Sequence, residues 1–133
     1  MGGRGWLPLL ALSALAAACG GGRENLDRVP DGPWGGEHVS LVVRATGAQV
    51  GFDCAHGEIT VPLRLEADGT FRLPGYLVRD VGPTLDPENR VPATYSGSSD
   101  GARLTLSFVL EDGTGDGPFT AFPGGPAVVE LCR

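Results

Sequence analysis

The residues most suited to chemistry are gathered in residues 52–58, Phe52-Asp53-Cys54-Ala55-His56-Gly57-Glu58. This stretch holds a cysteine, one of two histidines and two carboxylates, side chains that bind zinc when three or four of them converge. An extended strand points Asp53 and Cys54 to opposite faces, and His38 could join them only from a neighbouring strand. We therefore expect no metal or other cofactor here, and we interpret His56 as a turn residue with a solvent-facing ring.

A second candidate is the glycine-rich segment Asp112-Gly113-Thr114-Gly115-Asp116-Gly117. Oxygen donors at alternate positions and a glycine at the sixth match the first half of a calcium-binding loop. The twelfth position, where a bidentate glutamate is expected, is Pro123. We interpret the segment as a flexible glycine hairpin, and weak calcium binding is the alternative left open.

No catalytic constellation is evident in the sequence. Ser96, Ser98 and Ser99 lack the Gly-x-Ser-x-Gly context of a hydrolase nucleophile. The acidic pair Asp86 and Glu88 falls on a predicted loop, where solvated charge is the usual role. We predict a protein that is not an enzyme, and a mechanism that borrows residues from a partner is the open alternative.

The N-terminus has the parts of a secretory leader. An apolar run from Trp6 to Leu15 is too short to span a bilayer as a helix, and it is followed by Ala16-Ala17-Ala18-Cys19. This end resembles the lipobox of bacterial lipoproteins, in which the cysteine after the small residues carries the lipid. The resemblance implies a signal peptide over residues 1–18 and a lipidated Cys19 with a flexible tether over residues 19–36. Ordinary secretion with a free Cys19 is the alternative.

The cysteine count supports lipidation, because three cysteines in an exported chain leave one unpaired. If Cys19 carries lipid, Cys54 and Cys132 form one pair in a compartment where disulfides persist. That bond would close a loop of about 79 residues and contribute about 4.5 kcal/mol in the chain-entropy model. We therefore predict an exported protein that is anchored to a bacterial membrane by its lipid, on the periplasmic or cell-surface side.

Charge narrows the range of partners. The chain has ten arginines, no lysine and 16 acidic residues, a formal net charge of −6. Because this sign repels phosphate backbones and anionic lipid headgroups, we expect no binding to nucleic acid. Membrane attachment then depends on the lipid alone. The remaining expected partner is an envelope protein or ligand, bound by a monomer.

From Glu37 onward, apolar and polar residues alternate as they do in half-buried strands. The predicted strands cover residues 39–44, 48–54, 58–65, 71–78, 91–97, 104–110, 119–122 and 127–132. Eight short strands with no amphipathic helix predict an all-β domain over residues 37–133. The expected architecture is an eight-stranded antiparallel up-and-down barrel, with a closed β-sandwich as the alternative. Trp34 is interpreted as a plug or a strand cap, with a binding role as the alternative.

Two wider resemblances follow from short motifs. Three motifs look like those of a group of small bacterial lipoproteins: Trp34-Gly35-Gly36-Glu37-His38, Phe52-Asp53-Cys54-Ala55-His56-Gly57 and Leu131-Cys132. This resemblance implies kinship but no activity. The chain also resembles, more faintly, the membrane-bound inhibitors of C-type lysozyme. The residues that carry this resemblance are Phe52 to Gly57, Ser99 to Arg103 and Cys132. Those inhibitors are small lipid-anchored eight-stranded barrels. The inhibitors' aromatic-lysine-glycine strand is replaced here by Phe122-Pro123-Gly124-Gly125, so no inhibitory residue is assigned.

These observations favour a lipid-anchored, non-enzymatic binding module of the cell envelope. Its candidate contact residues are Trp34, His38, His56, Asp86 and Glu88, with the loop from Arg79 to Arg90 as the expected contact surface. The alternative function is inhibition of a lysozyme-like hydrolase that degrades the cell wall. An acidic barrel is electrostatically suited to a basic hydrolase.

Overall fold

The computed structural model describes residues 26–80, 90–130 and 132. In this part of the chain, eight antiparallel strands follow one another around a closed barrel, so the predicted barrel is confirmed over the sandwich alternative. The strands are β1 (Gly32–Gly36), β2 (Val39–Arg44), β3 (Gly47–Phe52), β4 (Ala55–Ile59), β5 (Thr70–Arg79), β6 (Val91–Ser99), β7 (Leu104–Leu110) and β8 (Gly115–Pro123). None of the described residues belongs to a helix long and apolar enough to cross a membrane.

Alternating side chains fill the barrel interior. In β7, Leu104, Leu106, Phe108 and Leu110 are buried while the residues between them are more exposed. β2 and β3 contribute buried residues at a spacing of two in the same way. Because the period matches the pleat of a strand, one face of each hairpin is buried and the other is left to water.

Tyr95, in β6, has the largest fully buried side chain among the described residues, and its ring lies in the barrel interior. Its hydroxyl donates a hydrogen bond to the Tyr76 carbonyl oxygen at 2.7 Å. Burial raises the pKa of Tyr95, which keeps the hydroxyl protonated as a donor. Gly57 and Gly75 leave room for this ring, because a Cβ on either would meet Tyr95 and backbone atoms.

The barrel begins five residues earlier than the sequence predicts. Gly32–Gly36, expected to end the tether, is β1, and Trp34 within it is only 2% exposed, with its indole N–H donating to the Pro30 carbonyl at 3.1 Å. The Gly-Pro-Trp-Gly-Gly sequence has no alternation, so propensity gives no strand signal. Its glycines instead admit close backbone neighbours, since a Cβ on Gly36 would collide with Thr120.

The predicted last strand, residues 127–132, is instead a segment that we call the C-terminal strap, residues 124–130 with Cys132. It turns back after β8 and runs alongside β1. The Val128 N–H donates to the Gly36 carbonyl at 3.1 Å, and the His38 N–H donates to the Val128 carbonyl at 2.7 Å. A single parallel bridge between Glu37 and Val128 is too short to make a strand of it.

The barrel has two different ends, because successive up-and-down strands place alternate turns at opposite ends. We call one the closed end: residues 26–31 lie against the β4–β5 loop, residues 60–69. Val29 and Leu63 are fully buried there, and the Val29 N–H donates to the Leu63 carbonyl at 3.0 Å. The other end, which we call the mouth, carries the β1–β2, β3–β4 and β7–β8 turns, residues 37–38, 53–54 and 111–114.

Several predicted features lie outside the described residues. These are the signal peptide over residues 1–18, the lipidation site Cys19, the first part of the tether through residue 25, and the loop residues Asp86 and Glu88. Their assignments stay predictions.

The close packing of Tyr95 against Gly57 predicts that a methyl group added at residue 57 lowers the stability of the fold. Gly57→Ala places a Cβ against the Tyr76 backbone and the Tyr95 hydroxyl, and we expect it to lower the free energy of unfolding by about 3 kcal/mol. Gly51→Ala in the adjacent β3 is the matched control, because its Cβ meets only the Ser40 hydroxyl, and it should cost less than about 1 kcal/mol. Urea unfolding of both variants tests this, and equal losses would contradict it.

Candidate functional site

Two tight turns build the mouth. The β1–β2 turn contains His38 at φ 66° and the β3–β4 turn contains Cys54 at φ 59°. Two-residue hairpin turns that match strand twist use positive φ, normally supplied by glycine or asparagine. A side chain in the left-handed region costs about 1–2 kcal/mol. The structure therefore holds a histidine and a cysteine in conformations that their own preferences disfavour.

Asp53 joins three segments at the mouth. Its Oδ2 lies 2.5 Å from the His38 Nδ1, and its Oδ1 accepts the Glu130 N–H at 2.8 Å. These contacts tie the β3–β4 turn to the β1–β2 turn and to the strap. The Glu130 N–H has the largest effect and lowers the pKa of the Asp53 carboxyl. Desolvation opposes it, and the contact with His38 lowers the pKa further, so that the pKa lies below its usual value.

The disulfide reinforces the same junction. Cys54 and Cys132 are bonded, as predicted, with their Cα atoms 4.8 Å apart and a sequence separation of 78. The Cys54 N–H also donates to the Glu130 carbonyl at 3.0 Å. The end of the chain is thus fixed covalently to the turn that carries Asp53.

A cavity of about 500 Å³ opens at this end of the barrel. Its floor is aromatic: the Phe52 ring lies 5.0 Å from the Phe108 ring and 5.1 Å from the Phe119 ring, measured between centroids. Its polar wall carries Asp53 and Asp116 with the rim residues His38, Arg79 and Thr114. An apolar floor with a few polar groups on a rigid frame is the usual composition of a small-molecule site.

Charge is distributed unevenly between the two ends. Among the described residues, the mouth end carries seven carboxylates and two arginines: Glu37, Asp53, Asp80, Glu111, Asp112, Asp116 and Glu130 with Arg79 and Arg90. The closed end carries five of each: Asp27, Asp31, Glu66, Asp68 and Asp100 with Arg28, Arg44, Arg64, Arg72 and Arg103. The remaining described carboxylate, Glu58, lies within β4 between the two ends. The net negative charge of the described domain is therefore concentrated around the cavity.

His56 is placed differently from its prediction. It lies in β4 and on the outer face of the barrel, paired in register with Gly51 and Val78, because the preceding turn is Asp53-Cys54 and not Ala55-His56-Gly57. Its ring is half exposed, and its Nδ1 lies 2.9 Å from the Asp80 carboxylate. His38 and His56 thus both lie near the mouth, each beside an aspartate, and only His38 borders the cavity.

Trp34 and Asp112 have structural roles in this geometry. Trp34 is a core residue, so its ring is not presented to a partner. Asp112 accepts the Thr114 N–H at 2.9 Å and the Thr114 hydroxyl at 2.6 Å, contacts that close the β7–β8 turn on itself. In the part of the chain that the structure describes, no three His, Cys, Asp or Glu side chains are grouped as a metal site would require.

The sequence-based candidates omitted most of the cavity. Phe52, Phe108 and Phe119 fall in the predicted strands 48–54, 104–110 and 119–122, and Asp116 falls in the possible calcium loop. A signal was available, however: in an up-and-down barrel the first, third and seventh turns lie at one end. Residues beside these three turns could have been grouped on that basis alone.

Comparison of the chain with protein-family models, curated proteins and solved structures finds no match. The segment that resembles lysozyme inhibitors, Ser99 to Arg103, forms the β6–β7 turn at the closed end. There the Asp100 carboxylate accepts the Ala102 and Arg103 N–H groups, both at 2.9 Å. That turn is therefore spatially separate from the cavity.

The contacts of Asp53 predict a pH dependence of stability. Because its folded-state pKa is lower than its unfolded value of about 3.9, Asp53 stabilises the fold above that value, and the contribution is lost as the pH falls through the folded-state pKa. Asp53→Asn should therefore lower the urea midpoint at pH 5.5, and by a smaller amount at pH 2.5. Glu66→Gln at the closed end serves as the control. A midpoint difference for Asp53→Asn that does not change with pH would contradict this account.

Proposed function

We propose that this chain is a lipid-anchored β-barrel of the bacterial cell envelope that acts by binding at its mouth and not by catalysis. The observation that carries the proposal is the mouth cavity, with its aromatic floor and charged rim. The residues around it are used for hydrogen bonds that hold turns and strap together, as in the contacts of Asp53 and Asp112. Such a site is suited to recognition.

The construction of the mouth supports binding by a preformed site. The cavity floor belongs to β3, β7 and β8, and the rim is fixed by the disulfide and by Asp53. Ordering a flexible side chain on binding costs about 0.5–1.5 kcal/mol. Residues already held in place avoid much of that cost, so a small ligand can bind without refolding of the site.

The route of the chain supports an outward-facing mouth in an anchored protein. The described chain starts at the closed end, where Leu26 lies against Gly101 of the β6–β7 turn. Seven residue steps separate Leu26 from Cys19, a reach of at most about 25 Å even when fully extended. A lipid on Cys19 would therefore keep the closed end near the membrane and turn the cavity toward the envelope space.

Lipidation is tested by a single substitution. With its leader intact and expressed in a bacterial host, the chain should incorporate an alkyne-labelled fatty acid and fractionate with membranes. Cys19→Ser should abolish both the label and membrane retention, while Cys54→Ser should keep the label. Continued labelling of Cys19→Ser would contradict the anchor.

Binding at the mouth is tested by site-specific photo-crosslinking in intact cells. A photoreactive amino acid at Thr114, on the cavity rim, should capture a partner or ligand that the same group at Thr46 does not capture. Both threonines are exposed turn residues, and Thr46 lies at the closed end. Equal capture at the two positions, or capture only at Thr46, would count against the mouth as the binding surface.

Inhibition of a wall-degrading hydrolase is the second candidate function. The seven carboxylates at the mouth favour it, because an acidic surface attracts a basic enzyme and accelerates encounter. Recovery of such a hydrolase in the Thr114 crosslinks would select this function over binding of a small ligand.

A further inference from the structure

We propose that the mouth cavity takes a small organic cation with an apolar body, such as an arylalkyl amine. This inference rests on the proposed binding function and adds the chemical class of the ligand. It is carried by three features that coincide at one place: the aromatic floor, the carboxylates of the rim and the size of the cavity.

The floor suits a cation as well as an apolar group. Phe52, Phe108 and Phe119 form a contiguous group of rings, and Leu77 lies beside them at the cavity wall. Aromatic rings attract ammonium groups through their negative faces, with an energy of about 0.5–2 kcal/mol that rises as water is excluded. The same rings provide apolar contact for the body of a ligand, so one surface can serve both parts.

The rim discriminates by charge. Asp53 and Asp116 line the cavity, and both Asp53 and Asp112 have pKa values below the usual one, chiefly because backbone or hydroxyl groups donate to them. Among the described residues that line the cavity, Arg79 is the only arginine, and it interacts electrostatically with Asp112. An anionic ligand would therefore meet an arginine already beside an acid, whereas a cationic ligand would meet the carboxylates of Asp53 and Asp116.

The size of the cavity limits the ligand. A volume of about 500 Å³ lies within the usual range of about 300–1,000 Å³ for small-molecule sites. It has room for a phenyl ring, a short linker and an amine. For a probe of about ten heavy atoms we expect a Kd of about 1 mM.

Three probes of one shape and different charge test the proposal. Two-dimensional NMR titration of the mature domain, carried out without its lipid at pH 7, would compare 3-phenylpropylamine, 3-phenylpropanol and 3-phenylpropanoate. The amine should shift backbone resonances of Phe52, Asp53, Thr114 and Asp116. It should bind at least about five-fold more tightly than the alcohol, and the anion should bind most weakly.

Matched variants test the contributions of the carboxylate rim and of the aromatic floor separately. Asp116→Asn should weaken binding of the amine about three- to ten-fold and leave the alcohol unchanged, while Glu66→Gln at the closed end should change neither. Phe119→Leu keeps an apolar floor but removes one ring. It should therefore weaken the amine more than the alcohol.

The outcomes separate this inference from the function on which it rests. If the alcohol or the anion binds at the same residues as tightly as the amine, the cavity is a binding site and the cationic class is wrong. If no probe shifts the mouth resonances at about 10 mM, the inference is overturned. Capture at Thr114 in cells would still support a mouth that binds a different kind of partner.

Discussion

Closure of the barrel depends on a short seam that the strap completes. β1 and β8 pair at only two positions, Trp34 with Pro123 and Gly35 with Phe122, whereas most neighbouring strands pair over five or more residues. Beyond Gly35, on the edge of β1 that faces β8, the Gly36 carbonyl accepts the Val128 N–H of the strap instead. The disulfide fixes the far end of that strap to the β3–β4 turn. One covalent bond thus holds the edge where the first and last parts of the chain meet, and its closed loop of 78 residues removes about 4.5 kcal/mol of unfolded-state entropy in the simplest model.

The same junction explains why unfavourable backbone conformations persist at the mouth. His38 and Cys54 both adopt positive φ, and both are held from outside their own turns. The His38 N–H donates to the strap and its ring contacts Asp53, while Cys54 is bonded to Cys132. Strained residues of this kind persist only where surrounding contacts over-determine them, and they are concentrated at functional sites. The strain at the mouth is therefore consistent with the placement of the cavity beside it.

Alternation in the sequence was sufficient to predict the barrel, since β2, β3 and β5 to β7 largely follow a period of two. The ends of the chain were not predictable in this way. β1 is a strand because Gly35 and Gly36 permit close approach of other backbones, a tertiary requirement that local propensity does not express. The Cys54–Cys132 pair followed from counting cysteines. The position of His56 did not follow from the sequence, because the turn falls at Asp53-Cys54 and places His56 on the outer face of β4.

The polarity of the barrel relates the proposed anchor to the cavity. Residues 26–31 seal the closed end, where the described acids and arginines are equal in number, and most of the excess described carboxylates surround the opposite end. A membrane with anionic headgroups would repel the mouth more strongly than the closed end, with an interaction that decays over about 8–10 Å at physiological salt. Attachment through residue 19 and repulsion at the mouth would therefore favour the same orientation. In that orientation an acidic, aromatic-floored cavity would face solutes and proteins of the proposed envelope compartment, and its charge would increase the local concentration of cations.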